Sequence, residues 1–412
     1  MQHHARRAAI VVVGLVTSGI AHAQNGGQEF DRIERGRYLT AMGDCVACHT
    51  PDGGKPFAGG LTVQTPFGAL VSPNITPDPA TGIGNWTDAE FLRAMHSGID
   101  RAGHHLYPAF PYVYYTRVSD EDVLAIRAYL ETLQPVVNKV VPNQLPFPFD
   151  VREGVAAWNE LNFTPGLFKP DPTKTAEWNR GAYIVTGLEH CGLCHTPKTA
   201  SGGDDNGHYL QGATLEGWYA PNITGDTRTG IGSWSLDEIA AYLRDGHNSV
   251  AAASGPMREE IENSSSKLTN ADLHTVAVYL KDLPGQDHAV APVGADTQAM
   301  QAGQAIYVDE CSACHTRSGN GIPRLIPALK GAPAVQQDSA ASLVRVVLQG
   351  AQSAQTARAV TGPAMPALGW KFSDEQVADV VTYIRNSWGN VASAVFASDV
   401  KAVRADLARR TN

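Results

Sequence analysis

Cys45-Val46-Ala47-Cys48-His49, Cys191-Gly192-Leu193-Cys194-His195 and Cys311-Ser312-Ala313-Cys314-His315 are three copies of one pattern, and each runs on into a threonine, Thr50, Thr196 or Thr316. Together they use all six cysteines of the 412-residue chain. Two thiols separated by two residues and followed at once by an imidazole are arranged for a c-type haem, with two thioethers to the macrocycle and the histidine under the iron. A lone Cys-x-x-Cys would equally suit a redox dithiol, a disulfide or half of a zinc site. Three repeats with histidine always in the same place favour haem, and a structural zinc site needs four converging ligands that the local pattern lacks. The expected cofactors are three covalently bound haem c groups on Cys45, Cys48, Cys191, Cys194, Cys311 and Cys314, with His49, His195 and His315 as proximal iron ligands.

A second layer of repetition aligns the parts around each motif. Pro73-Asn74-Ile75-Thr76 and Thr81-Gly82-Ile83-Gly84-Asn85-Trp86 recur as Pro221-Asn222-Ile223-Thr224 and Thr229-Gly230-Ile231-Gly232-Ser233-Trp234. After each tryptophan a capping-box signal, Thr87 with Glu90 or Ser235 with Glu238, predicts a helix that stops at Gly98 or Gly246. The third unit lacks the Pro-Asn-Ile-Thr block but keeps a comparable helix from Leu343 to Gly350. Each unit opens on a short helix carrying Gly36, Gly181 or Gly303. Each closes on an amphipathic helix with Tyr129, Tyr279 or Tyr383, for which Ser119, Thr269 and Ser373 are the expected N-caps. This resembles the class I cytochrome c fold, in which first and last helices cross through a glycine and an aromatic residue. The expected fold class is mainly α, with three tandem domains of that class joined by Pro-rich linkers. The divisions fall at 1–23 (leader), 24–134 (domain one), 135–178 (linker), 179–284 (domain two), 285–299 (linker), 300–389 (domain three) and 390–412 (tail).

Arg6 and Arg7 precede an apolar run from Ala8 to Ile20, and Ala21-His22-Ala23 supplies a small-x-small cleavage pattern, so residues 1–23 read as a secretory signal peptide. That implies a periplasmic protein at the outer face of the inner membrane. No later run approaches the roughly 20 apolar residues that span a bilayer. A net charge of −9 argues against nucleic acid as a partner. The linker 135–178 carries Phe147, Phe149, Trp158, Phe163 and Phe168 among its prolines, too aromatic for a solvated tether, so it should pack on the first two domains or on a partner. In the tail, Ser398 could cap a helix with Val400, Val403 and Leu407 on one side. Such a helix would either anchor weakly at a membrane surface or dock on the third domain or a catalytic subunit.

The distal ligands must come from a short list, because the chain has only six methionines. Met365, in Pro363-Ala364-Met365-Pro366, and Met257, in Gly255-Pro256-Met257, lie between the middle and last helices of their units, where a class I cytochrome c supplies its distal methionine. In unit one the matching slot falls at Ala109, beside Phe110 in Leu106-Tyr107-Pro108-Ala109-Phe110-Pro111, and neither side chain binds iron. Met95, which aligns with Leu243, is the candidate there, with His105, His104 and His96 as alternatives. No nucleophile-base pair, phosphate loop or paired carboxylates stand out, and no distal Arg/His constellation supports a stand-alone peroxidase or nitrite reductase.

The three Cys-x-x-Cys-His units, the Pro-Asn-Ile-Thr and Thr-Gly-Ile-Gly-x-Trp blocks, Leu106–Tyr112 and Asn179-Arg180-Gly181-Ala182-Tyr183 are similar to the three-haem cytochrome c subunit of bacterial periplasmic alcohol and aldehyde dehydrogenase complexes. The resemblance implies an electron-transfer subunit with no catalysis of its own. It would pass electrons from a catalytic dehydrogenase subunit, accompanied by a small subunit, to ubiquinone or a terminal acceptor, and it leaves room for peripheral membrane association. Phe110 leans the choice toward a molybdopterin aldehyde dehydrogenase, with a quinoprotein or flavoprotein alcohol, polyol or gluconate dehydrogenase as the alternative.

Overall fold

Three glycines decide how the helices meet. In the computed structural model, which describes residues 16–286 and 290–410 except for the side chains of 16–26, the opening helices Val16–Met42, Ala176–Thr186 and Gln298–Ile306 pack on the closing helices Asp120–Glu131, Asn270–Asp282 and Asp374–Arg385. Gly36 lies against the carbonyl of Ala125 and the Cβ of Tyr129; Gly181 and Gly303 repeat this against Thr275 with Tyr279 and Asp379 with Tyr383. A Cβ at any of the three would overlap a backbone carbonyl of the partner helix, so the crossing requires glycine. Of the expected leader, residues 1–15 lie outside the described residues, and the rest falls in the helix that begins at Val16.

The closing helices start where their caps place them: Ser119, Thr269 and Ser373 each accept from the backbone N–H three residues on. The middle helices are Asp88–Ser97, Leu236–Asp245 and Ala341–Gln349. Thr87 and Glu90 form the full reciprocal box. Ser235 caps its helix, but Glu238 turns away to the Ser249 hydroxyl, so only half of the expected box forms. Strand is confined, among the described residues, to three two-stranded antiparallel pieces, the longest pairing Thr62–Thr65 with Gly68–Val71.

Units one and two share one hydrophobic core, in which Leu39, Met42, Val123 and Ile126 pack with Ile184, Leu188, Leu273 and Val276. Reciprocal hydrogen bonds close the junction. Tyr38 of unit one donates to Asp272 of unit two at 2.7 Å, and Tyr183 of unit two donates to Asp122 of unit one at 2.7 Å. Each aspartate also takes an arginine of its own unit, Arg35 at 2.6 Å on Asp122 and Arg180 at 2.8 Å on Asp272. Unit three has a separate core around Tyr307, Val344, Val377 and Val381. It meets unit two largely through polar groups on backbone, Ser342 and Arg345 bonding the Trp218–Ala220 hairpin region and Gln337 bonding Thr229 and Asn222, with a small apolar contact of Ala354 on Ala253 and Ile261.

The aromatic linker packs, as its composition implies, on both neighbouring units. Gln144 exchanges backbone hydrogen bonds with Ala69, Asn159 accepts from Tyr112, Trp158 donates to the Ser201 carbonyl, and Phe168 stands edge-on to Tyr183. Phe147 remains 83% exposed. The tail corrects one expectation. Its helix, Ala397–Arg410, begins before Ser398, so that residue does not cap it; Asp399 instead accepts from the Phe396 N–H. Of the two expected roles it takes the docked one, with Val400 fully buried and Val403 and Leu407 against the third core. Arg404 pairs with Asp374 at 2.7 Å and Arg345 with Asp406. Its apolar side is thus turned onto the third unit.

Candidate functional site: three histidines under proline carbonyls

Each Cys-x-x-Cys-His ends in one short helical turn, and each histidine is fixed in the same way. The Nδ1 of His49 lies 2.7 Å from the Pro73 carbonyl, that of His195 2.6 Å from Pro221, and that of His315 3.1 Å from Pro327. A carbonyl can only accept, so Nδ1 carries the proton and Nε2 keeps its lone pair for a metal. Pro73 and Pro221 open the two Pro-Asn-Ile-Thr blocks, whose repetition the sequence shows but whose purpose it does not. Pro327 does the same work without the block and only 12 residues downstream, against 24 and 26 in the other units.

The block holds its proline by hydrogen bonds. Asn74 Oδ1 accepts from the Thr76 N–H, and its amide reaches Thr81, which in turn donates to Asp78; Asn222, Thr224, Thr229 and Asp226 repeat the set. A second bond fixes the histidine in all three units: the N–H of Gly59, Gly212 or Gly321 donates to the histidine's own carbonyl. Gly59, at φ +70°, lies so close to the Pro73 backbone that a Cβ would overlap it, and Gly321, at φ +62°, stands likewise against Pro327. The threonines after the motifs also act, each accepting a loop N–H through its hydroxyl, from Phe57, Leu210 and Asn320.

Burial holds all three imidazoles below the usual histidine range, which keeps them neutral, the form that ligates metal. The thiols move the other way. Burial pushes Cys45 up to about 12 and Cys48, Cys194 and Cys311 up to about 11, with Cys191 also raised. A redox dithiol needs a thiol lowered by nearby positive charge, and these have the opposite surroundings. All six cysteines are free, and no group of three or more His, Cys, Asp or Glu among the described residues converges as a metal cage. Paired unoxidised thiols beside a neutral imidazole with a free Nε2 fit a covalently attached haem and do not fit zinc.

On the distal side the three units differ. Met365 sits on a two-residue strand paired with Ala351, and the preceding helix ends at Gly350, at φ +79°, whose missing Cβ makes room for the Met365 carbonyl. Met365 also lines a cleft of about 590 Å³ between units two and three, with Trp218, Arg258 and Glu259 opposite. Met257 opens the helix Pro256–Asn263 and packs beside Tyr242 and Ile261. In unit one the space after Gly98 holds the Tyr112 ring, and Phe110 packs edge-on to Tyr115 at 5.5 Å. Met95 is buried in the shared core with Phe91. His96 hydrogen-bonds the Val118 carbonyl and His104 is exposed beside Asp100, whereas His105 has a buried Nδ1 with no protein partner. The structure thus separates His105 from the other two histidines.

Mainly helical units, crossed through glycine and tyrosine and each presenting Cys-x-x-Cys-His under a proline carbonyl, define a cytochrome c. The cytochrome c family model matches residues 33–134 and 300–388. The chain is 40% identical over 396 residues to the gluconate 2-dehydrogenase cytochrome c subunit of Pantoea cypripedii, covering 91% of this chain and 90% of that one. It is 37% identical over 410 residues to the alcohol dehydrogenase (quinone) cytochrome c subunit of Gluconacetobacter polyoxogenes, covering 94% and 87%. A nicotinate dehydrogenase subunit of Pseudomonas putida is 41% identical over 382 residues, 88% of this chain but 31% of that longer protein. This chain belongs to the family of cytochrome c subunits of dehydrogenase complexes, whose part is electron transfer rather than catalysis. No helix among the described residues is long and apolar enough to cross a membrane.

Proposed function

We propose that the chain relays electrons through three c-type haems, from a periplasmic dehydrogenase to ubiquinone or a terminal acceptor at the outer face of the inner membrane. The observation that carries this reading is the threefold recurrence of a neutral histidine whose Nδ1 is tied to a proline carbonyl beside two free thiols. Cys45, Cys48, Cys191, Cys194, Cys311 and Cys314 hold the haems, and His49, His195 and His315 ligate iron from below. Met257 and Met365 are the distal ligands of the second and third. For the first, Met95 is the assigned ligand and His105 its competitor; the unpartnered, buried Nδ1 of His105 supports the competitor. When bound, the haem supplies a one-electron couple whose potential follows the axial ligand.

The test begins with haem content, for which a pyridine haemochrome assay should give three per chain; one or two would sink the relay. Met257→Ala and Met365→Ala should each remove one methionine-to-iron band and lower one midpoint potential. Met95→Leu should alter the low-spin spectrum of one haem if Met95 ligates, and leave it unchanged if His105 does. For the catalytic partner, Phe110 favours a molybdopterin aldehyde dehydrogenase. A quinoprotein or flavoprotein partner is the second reading, supported by the gluconate and alcohol dehydrogenase names of the relatives. Cofactor analysis of the complex purified through this chain decides: molybdenum upholds the first, pyrroloquinoline quinone or flavin the second.

A further inference from the structure

The junction of units one and two buries carboxyls that the electron path does not use. The helix Pro256–Asn263 of unit two packs on Cys45–His49 of unit one, bringing Glu260 toward Asp44, and Glu189 joins them from just before Cys191. Asp44 immediately precedes Cys45, so thioether bonds at Cys45 and Cys191 would fix two of the three carboxyls beside two haem edges.

Hydrogen positions inside the cluster point to a proton. Ser264 and Ser265 are fully buried, each with one hydroxyl hydrogen to give. Ser264 Oγ lies 3.0 Å from the Met42 carbonyl and 3.2 Å from Glu189 Oε1; Ser265 Oγ lies 2.9 Å from the Leu243 carbonyl and 3.0 Å from Glu260 Oε2. Each hydroxyl faces two acceptors, and a carbonyl can never donate, so the second bond at each serine forms when the carboxyl carries a proton. Glu260 Oε1 and Asp44 Oδ1 are buried with no hydrogen-bond partner, which suits a neutral acid better than an anion.

The groups around the cluster leave the charge uncompensated. Lys267 is the cation within electrostatic reach of Asp44, and its ammonium donates to the Asn263 carbonyl. Arg258, on the same helix as Glu260, pairs with Glu262 at 2.9 Å. Glu259 adds a further negative charge, while Tyr115, Tyr242 and the thiols of Cys45 and Cys191 are neutral. His190 is held down to about 4 by burial and is neutral too. Burial, then the neighbouring carboxylates, pushes Asp44 up to about 8, and burial raises Glu189 and Glu260.

We propose that Asp44, Glu189 and Glu260 form a proton-binding site that fills when the haems of the first two units are reduced and empties when they are oxidised. The inference rests on those two haems being attached. An electron from the dehydrogenase makes the iron centre one unit less positive, which favours the protonated carboxyl. One carboxylate then takes one proton from solvent, and the junction's net charge is unchanged. On reoxidation the electron passes to the acceptor and the proton returns to solvent.

The test is spectroelectrochemistry of the full haem-loaded chain from pH 5 to 9. At least one midpoint potential should fall with rising pH, by at most 59 mV per tenfold change in proton concentration for one proton and one electron. Glu189→Gln and Glu260→Gln should retain three haems and flatten that slope. Slopes unchanged in both variants would overturn the proposal. Should a variant fail to load haem, reduction of the wild-type chain at an electrode in a divided cell with weak buffer serves, and no alkaline shift there would equally overturn it. Three haems with pH-independent potentials would remove the proton site while leaving the electron relay standing.

Discussion

The first two units and the third carry the same motif but are held in the molecule differently. Units one and two share a core and exchange Tyr38 and Tyr183 onto Asp272 and Asp122, so neither has a complete interior alone. Unit three encloses its own core, capped by the tail helix, and touches unit two largely through side chains that bond backbone. The motif is thus indifferent to context, whereas folding is not, and damage should spread within the pair but stop at the third unit.

The largest test of that contrast is loss of an attachment site. Cys191→Ser with Cys194→Ser should cost more than one haem, because unit two provides half of the core of unit one; Cys311→Ser with Cys314→Ser should leave two haems and an intact pair. Haem counts of two from both double variants would mean the shared core carries no such coupling. Next comes deletion of 397–410, which uncovers the third core at Val400, whose burial alone is worth about 1.5–3 kcal/mol. Thermal unfolding should show unit three destabilised while the Met257 spectrum stays unchanged.

Smaller still is Tyr38→Phe or Tyr183→Phe, each removing a hydrogen bond to a carboxylate worth about 1.5–3 kcal/mol at most. Urea unfolding should show the loss in the transition of the pair and not in that of unit three. Acid probes the same contact. Burial raises the Asp272 carboxyl, but the hydrogen bonds from Arg180 and Tyr38 outweigh burial and hold it below the usual range. A carboxyl lowered by folding stabilises above its unfolded value of about 3.9 and loses that contribution as pH falls through the folded value. Moving from pH 7 to pH 3 should therefore weaken the pair in unfolding measurements, and Asp272→Asn should weaken it at pH 7 and remove this share of the acid dependence. The smallest expected effect belongs to Phe147→Ser: at 83% exposure it should shift stability by no more than about 0.5 kcal/mol.

The helical class, the glycine and tyrosine crossings and the caps at Ser119, Thr269 and Ser373 are legible in the sequence because each rests on local chemistry at fixed spacing. What escapes is long-range. Pro73, Pro221 and Pro327 reach their histidines across segments of different length, and a proline's carbonyl carries no signature of what it accepts. Glu238 leaves its box for Ser249, a contact eleven residues away. The tail helix shows one face to sequence reading whether that face meets lipid or protein, and only the positions of Asp374 and Arg345 decide it. The Asp44, Glu189 and Glu260 cluster draws on two units, so no pair of carboxylates stands out along the chain.

The exchanged tyrosines have one further consequence, best put as symmetry. Because residue 38 meets 272 while 183 meets 122, the contact is isologous: two related copies offer the same patch to each other and use it up. Such an interface is closed, and no third copy can add to it however similar its sequence. A further unit must bind heterologously, through a surface that the pair leaves open, as the Trp218–Ala220 hairpin does for Ser342 and Arg345.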